Sequence, residues 1–413
     1  MITRRCTFTV AAFTVVAGLP AGARPAFAAD KVVKVGIDMS FTGADAADAL
    51  RSANGGIIAF EEANSDHEVP GVIFQVQKYD DGSATAGQYD PAQAAINARK
   101  MVSDRAIIAA LGPQMSGAGK AMSPILSAGN LATISPVATN PDITDPRFAA
   151  QYRPAGRAIF FRTVATDAYQ GPNMANYLAR ILKVSSVYVL DDSGAYGVGL
   201  ADAFQKQAEK IGIRVLGRDR LDPKAADYSA VLTKIKSLDA QALYYGGVSQ
   251  AAVKLAKQAY EIIPNVIKAG GDGVQSADLL AGAGFPAVEG WYATIAAAHV
   301  TGDPRLAALS RRYVERFGLQ PDDYAVTCYV GARVIIEAVK ELLARNKDLT
   351  RDNMRDAIQG VKLPDSVLGP IEFDANGDLR NQIISVFQIR KDPSRPLDSP
   401  IDQYKYVGVA PVA

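Results

Sequence analysis

Residues 107–142 read IIAALGPQMSGAGKAMSPILSAGNLATISPVATNPD. An apolar run, Ile107–Leu111, ends at a Gly-Pro turn, a helix of small residues starts near Ser116, and a second apolar run closes on Ala138-Thr139-Asn140-Pro141. Two strands of a parallel sheet joined by one helix account for this order. Both loops then fall at one edge of the sheet, where open α/β proteins bind small ligands. Bare N–H groups at the helix start and nearby hydroxyls suit a small anion, and the stretch holds no catalytic group.

Outward from this segment the strand, loop, helix order repeats. Lys31–Met39, Val72–Tyr79 and Ile107–Leu111 read as strands, with helices predicted over Ala47–Ala63 and Ala92–Val102. A second set follows Phe160-Phe161-Arg162-Thr163. It has helices over Gly171–Leu182, Gly199–Ile211, Tyr228–Ser237 and Gln250–Tyr260, and strands over Ser186–Leu190, Arg214–Arg218, Ala242–Tyr245 and Val266–Gly270. Two similar α/β units in tandem predict two lobes with a cleft between them, each a mostly parallel sheet flanked by helices. Beyond Gly290, helices at Pro304–Phe317 and Tyr324–Ala344 precede a tail expected to be rich in strand: Pro370–Phe373, Gln382–Arg390 and Tyr404–Val409. That tail is too poor in apolar residues to stand alone and should return to the earlier lobes.

The amino terminus carries Arg4-Arg5, an apolar stretch from Phe8 to Leu19 and Ala26-Phe27-Ala28, the pattern of a secretory signal cleaved after Ala28. The apolar stretch is shorter than the roughly 20 residues of a spanning helix. The mature chain is therefore expected to be exported, by the general or the twin-arginine route, and to be soluble. Cys6 leaves with the signal, so Cys328 has no partner for an internal disulfide and reads as a small buried hydrophobe. The 413 residues hold 44 basic and 43 acidic side chains with no basic block, which argues against nucleic acid or an anionic membrane as partner.

Enzyme signatures are weak. GPQMSGAGKAM misses a phosphate loop at Gln114 and Ala121, and no Gly-x-Ser-x-Gly elbow occurs. His67 and His299 are the two histidines, far apart and expected at the surface. The carboxylate pairs Asp80-Asp81 and Asp191-Asp192 read as strand ends rather than metal ligands, because neighbours in an extended segment point to opposite sides. Neither catalysis nor a cofactor or metal is expected.

The chain resembles the periplasmic solute-binding proteins of branched-chain amino acid ABC transporters, the Leu/Ile/Val-binding family with the type I periplasmic fold. The resemblance is carried, in family order, by Tyr79-Asp80-Asp81, GPQMSG (112–117), ISPVATNP (134–141) and FFRTVATDAYQGP (160–172). It continues through LDDSGAYGVGLADAF (190–204), DYSAVLTKIK (227–236), YYGG (244–247), GGDG (270–273) and EGWYAT (289–294). It implies a hinge of three crossovers, placed near Arg162–Thr166, Gly290–Thr294 and Gly369–Arg380. The lobes are then 30–163 plus 293–372 and 164–292 plus 373–413.

The resemblance also implies a ligand between the lobes, a cleft that shuts over it, and a membrane permease with its ATPase that reads the closed form of a monomer. Ser116, after Met115, would hold an amino acid's carboxylate with Thr139. The Ala138 carbonyl and Asp272 would take the ammonium, and Tyr196 would close from the second lobe. Two segments depart from the family. Val248-Ser249-Gln250 replaces residues that are aromatic in several relatives, and the first loop reads Thr42-Gly43-Ala44-Asp45-Ala46-Ala47-Asp48. Asp45 and Asp48 in a side-chain pocket would favour a polar or cationic group, or else they cap a helix. Tyr169 is a candidate for a replacement aromatic face. A sensory receptor of the same fold, or an importer component for aromatic acids, amides or urea-like compounds, are the alternatives.

Overall fold

The computed structural model describes Met1 and residues 30–413; the expected secretory signal, its expected cleavage point and Cys6 lie outside the described residues. Two sheets organise the rest. In the first, five parallel strands run in the order Val72–Asp80, Lys31–Met39, Ile107–Leu111, Thr133–Ser135 and Phe160–Arg162. Ile107–Leu111 lies third of five and every one of its residues is buried, as a strand covered by helices on both faces must be.

The second sheet has seven strands: Tyr404–Val409, Ser385–Ile389, Tyr292–Ile295, Ile267–Gly270, Ala242–Gly246, Ser186–Asp191 and Arg214–Arg220. The last five are mutually parallel, and the two from the tail join antiparallel at one edge. The tail thus completes the second sheet. Among the described residues no helix is long and apolar enough to cross a membrane.

The helix Ala46–Ser65 packs lengthwise on Asp323–Ala344, so the returning chain covers the first lobe. Small residues permit the approach. A Cβ on Gly55 would sit 1.9 Å from the Ala325 carbonyl oxygen, and one on Gly56 would meet Leu111 and Cys328. Cys328 is buried in this seam as a free thiol, its pKa pushed up to about 12 by burial.

Several boundaries differ from the sequence expectation. Tyr292–Ile295 lies in the second sheet, although the division above assigned residue 293 onward to the first lobe. Placing it in the first lobe would leave Ile267–Gly270 with a parallel neighbour on one side only, and the chain crosses only after Ile295. Phe373, assigned to the second lobe, packs tilted against Phe161 at 5.2 Å between ring centroids and bridges to Leu379 within the first core. Pro370–Phe373 is no strand; isolated bridges Leu363–Ile371 and Phe373–Leu379 stand there. Arg351–Gly360 is a helix where no element was expected, and the helix predicted from Gly171 begins at Asp167. Trp291, at the expected second crossover, is walled into the core of the second lobe.

Gly55→Val forces a side chain into the Ala325 backbone and should cost about 1–3 kcal/mol or more, the penalty of overpacking a tight contact. Thermal unfolding should show a clear drop in midpoint. Gly360→Ala, at a position with no neighbour within 4 Å of the added carbon, should leave the midpoint unchanged or slightly higher.

Candidate functional site

The carboxyl ends of the parallel strands of both lobes face one cleft, and the loops that leave them line it. From the first lobe come Asp45 and Asp48 at the start of Ala46–Ser65, Gln114, Met115 and Ser116 after Ile107–Leu111, and Val137 and Thr139 after Thr133–Ser135. The second lobe contributes Tyr196, Val248, and Asp272 to Ser276 except Val274; the start of Asp323–Ala344 adds Asp322 and Tyr324. The empty space is about 610 Å³, its open mouth included.

One side of the cleft offers neutral donors. Ser135 ties its two loops together, donating to the Pro113 carbonyl at 2.7 Å and accepting from the Ala138 N–H at 2.9 Å. The helix Ser116–Ala128 opens with no side-chain cap, which leaves its leading N–H groups available to an anion. The Ser116 hydroxyl accepts from the Asn140 N–H at 3.2 Å, so its own proton is free to donate. Thr139 is 1 % exposed, and its Oγ1 is buried with no partner.

Ala138 does not do what was expected of it. Its carbonyl accepts from Arg162 Nη1 at 2.9 Å, and Ala138 is not among the residues that line the cleft. Arg162 is fully buried and must place every donor: it also reaches the Asn140 carbonyl, Thr144 Oγ1 and Asp378. This guanidinium braces the loop that presents Thr139.

Opposite stands Asp272. Tyr196 donates to its Oδ1, and Tyr324, from the first lobe, donates to its Oδ2 at 2.5 Å. Gln170 supports the strand end, its Oε1 accepting from the Asp272 N–H at 2.8 Å and from Thr294 at 2.7 Å. Burial raises the Asp272 pKa, and the two tyrosine hydroxyls pull it back by bonding to the charged form. Behind it Asp167 lies fully buried, its pKa raised well above the usual range by burial and by the charge of Asp272.

The far end is acidic. Asp45 occupies the N-cap position without making a cap hydrogen bond; its Oδ1 instead accepts from Ser249 of the second lobe at 2.7 Å. Burial pushes its pKa up to about 7, and that of Asp48 to about 6. Arg51 lies between Asp48 and Asp322 at 3.2 and 3.5 Å. Other bonds span the cleft as well. Asn140 donates to the Ala195 carbonyl at 2.9 Å, and Gln250 to the Ala86 carbonyl at 3.3 Å. This is a closed cleft.

Met115, Ser116, Thr139, Tyr196, Asp272, Asp45 and Asp48 therefore come together, whereas Tyr169 does not. Tyr169 is 41 % exposed and outside the cleft lining, because the helix from Asp167 turns the next residue, Gln170, inward instead. Sequence reasoning missed Tyr324, Asp322 and the inward-facing role of Gln114. Tyr324 is 52 residues from Asp272, and only its place at a helix start after Pro321-Asp322 marks it. His67 is exposed, but His299 is partly buried, paired with Asp323 at 2.8 Å and stacked on Tyr406. Among the described residues no His, Cys, Asp and Glu cluster is arranged to hold a metal ion.

Residues 32–393 match the periplasmic binding protein family. An amino acid binding protein of Pseudomonas aeruginosa is 28 % identical over 84 % of this chain and 87 % of its own length. The Leu/Ile/Val-binding protein BraC3 of Rhizobium johnstonii is 27 % identical over 86 % and 91 %. Among solved structures, the leucine-binding protein LivK of Thermotoga maritima superposes with a TM-score of 0.78, covering 92 % of this chain and 98 % of its own at 23 % identity.

Protonation of the acidic end should be visible in stability. Between pH 4 and pH 7 the folded chain holds an Asp45 proton that the unfolded chain has released, so stability falls as pH rises through that window. A shift from 3.8 to about 7 corresponds to roughly 4 kcal/mol. The unliganded protein should melt at a lower temperature at pH 8 than at pH 5, and Asp45→Asn should remove the part of the fall that runs from about pH 4 to about pH 7. An unchanged profile in that variant would place the buried proton elsewhere.

Proposed function

Because the chain belongs to the periplasmic binding protein family, we propose that it is the substrate-binding component of an ABC importer, taking an α-amino acid or amino-acid-like carboxylate. The observation that carries this reading is the pairing of unlike walls in one closed cleft. Neutral donors from Ser116, Thr139 and a helix start face a buried carboxylate, Asp272, that is itself held from both lobes. An amino acid's zwitterionic end has the complementary charges at a fixed short spacing. The names of the P. aeruginosa and R. johnstonii relatives support the same class of ligand.

In this reading the carboxylate settles against Ser116, Thr139 and the leading N–H groups of the Ser116 helix. The ammonium pairs with Asp272, whose charged form the tyrosine hydroxyls favour and hold in place. The chain passes between the sheets after Arg162, after Ile295 and before Ser385, and these three crossings serve as the hinge. A bound ligand adds contacts to both walls only when they meet, so it shifts the population towards the closed form. A permease and its ATPase in the inner membrane recognise that form, and the protein works in the periplasm as a monomer.

Isothermal titration against a panel of amino acids should find one-to-one binding with no product formed. For the bound amino acid, Asp272→Asn removes a charge-assisted hydrogen bond and should weaken binding by about 1.5–3 kcal/mol, tenfold or more. Thr139→Val should weaken it by about 1 kcal/mol. Unchanged affinity in Asp272→Asn would show that the ligand brings no amine to this wall, and turnover would make the protein an enzyme.

A further inference from the structure

We propose that the side chain of the ligand is cationic, so that the cargo is a basic α-amino acid. This deepens the amino-acid reading and rests on it. Four carboxylates line the cleft, those of Asp45, Asp48, Asp272 and Asp322, and no Lys or Arg is among the lining residues. The ammonium of an amino acid answers Asp272. Arg51, reaching in from behind, stands between Asp48 and Asp322 and answers those two. Asp45 is left over.

Asp45 is 4 % exposed, and only one of its oxygens is satisfied. Oδ1 takes the Ser249 hydroxyl from across the cleft, whereas Oδ2 is buried without a partner. The charges that bear on it most are Asp48 on its own helix, Asp278 on Ala277–Ala283 and Asp192 just after Ser186–Asp191, all of its own sign. Nearby in the same cleft, Gln114 is 6 % exposed with its Oε1 also buried and unpartnered. Both orphaned atoms are acceptors. An aliphatic side chain would bury them against hydrocarbon, and a carboxylate would add repulsion, but an ammonium or guanidinium supplies donors and the missing positive charge together. Val248 and Met115 offer apolar surface for the methylene stem that such a side chain needs.

The test is calorimetric titration of the purified protein at pH 8 with L-arginine, L-ornithine, L-citrulline and L-leucine. Citrulline copies the shape of arginine without its charge. Arginine or ornithine should bind at least tenfold more tightly than citrulline and leucine. Asp45→Asn should abolish at least tenfold of that preference, read as the ratio of the arginine and citrulline affinities measured in the same variant. Citrulline or leucine binding as tightly as the basic amino acids, or a preference unaltered in Asp45→Asn, would overturn the cationic assignment and leave the amino-acid reading standing. Failure of all four to bind while an amine-free acid or amide does bind would overturn both.

Discussion

Asp272 belongs to the second lobe, yet one of its oxygens accepts from Tyr324 of the helix that covers the first. A carboxylate removed from water needs its lone pairs filled, and here the nearest donors stand on both sides of a cleft. Opening the cleft strips away the Tyr324 hydroxyl and the Ser249 hydroxyl on Asp45 and readmits water to both acids. Closure therefore trades hydration of carboxylates for a few fixed hydroxyls. That trade is unfavourable without a ligand, because hydroxyl donors return only part of what desolvation costs. A positive group placed between the walls tips it.

The placement of those donors follows from backbone packing far from the ligand. Gly55 lets the helix Ala46–Ser65 lie against Ala325, and this one contact sets the distance between the Asp45–Asp48 end of the first helix and the Asp322–Tyr324 end of its neighbour. Arg51, on the face turned to that neighbour, then spans Asp48 and Asp322. In the same way Ser135 binds the Pro113 turn to the Ala138 turn, and Arg162 holds the latter from below. Each wall is rigid by itself, so the ligand meets surfaces whose ordering has already been achieved by the fold, which limits the entropy lost on binding.

Local patterns in the sequence reveal one wall more readily than the other. Lys31–Met39, Ile107–Leu111 and Tyr404–Val409 stand where their apolar runs predict, since each is a strand with its own hydrophobic signature. Ser116, Thr139 and Asp272 are legible through the family resemblance, because each lies in a short motif at a strand end that carries it. Arg351–Gly360 is harder: its inward face has only Met354, Ala357 and Ile358, and Arg351 itself is buried, giving its donors to carbonyls of Met101, Val102, Asp104, Ile107 and Gly129. Tyr324 and Arg51 owe their roles to partners 52 and 271 residues away, and no local pattern encodes such a meeting. Asp45 is instructive for the opposite reason. An Asp before a helix reads as a cap, but its side chain passes over the helix N–H groups to reach a serine in the other lobe.

These two ends of the cleft differ in how they tolerate change. At the Ser116 and Thr139 end the protein supplies dipoles, which cost little to bury and suit any carboxylate of the right size. At the Asp45 end it supplies charge, with one oxygen left unfilled and like charges around it. Dipoles impose a shared requirement, so that end selects for a class. Uncompensated charge discriminates, because a wrong partner leaves it either protonated or exposed to repulsion. In the proposed reading, selectivity in this chain therefore resides in the Asp45–Asp48 loop and in the Ser249 that faces it.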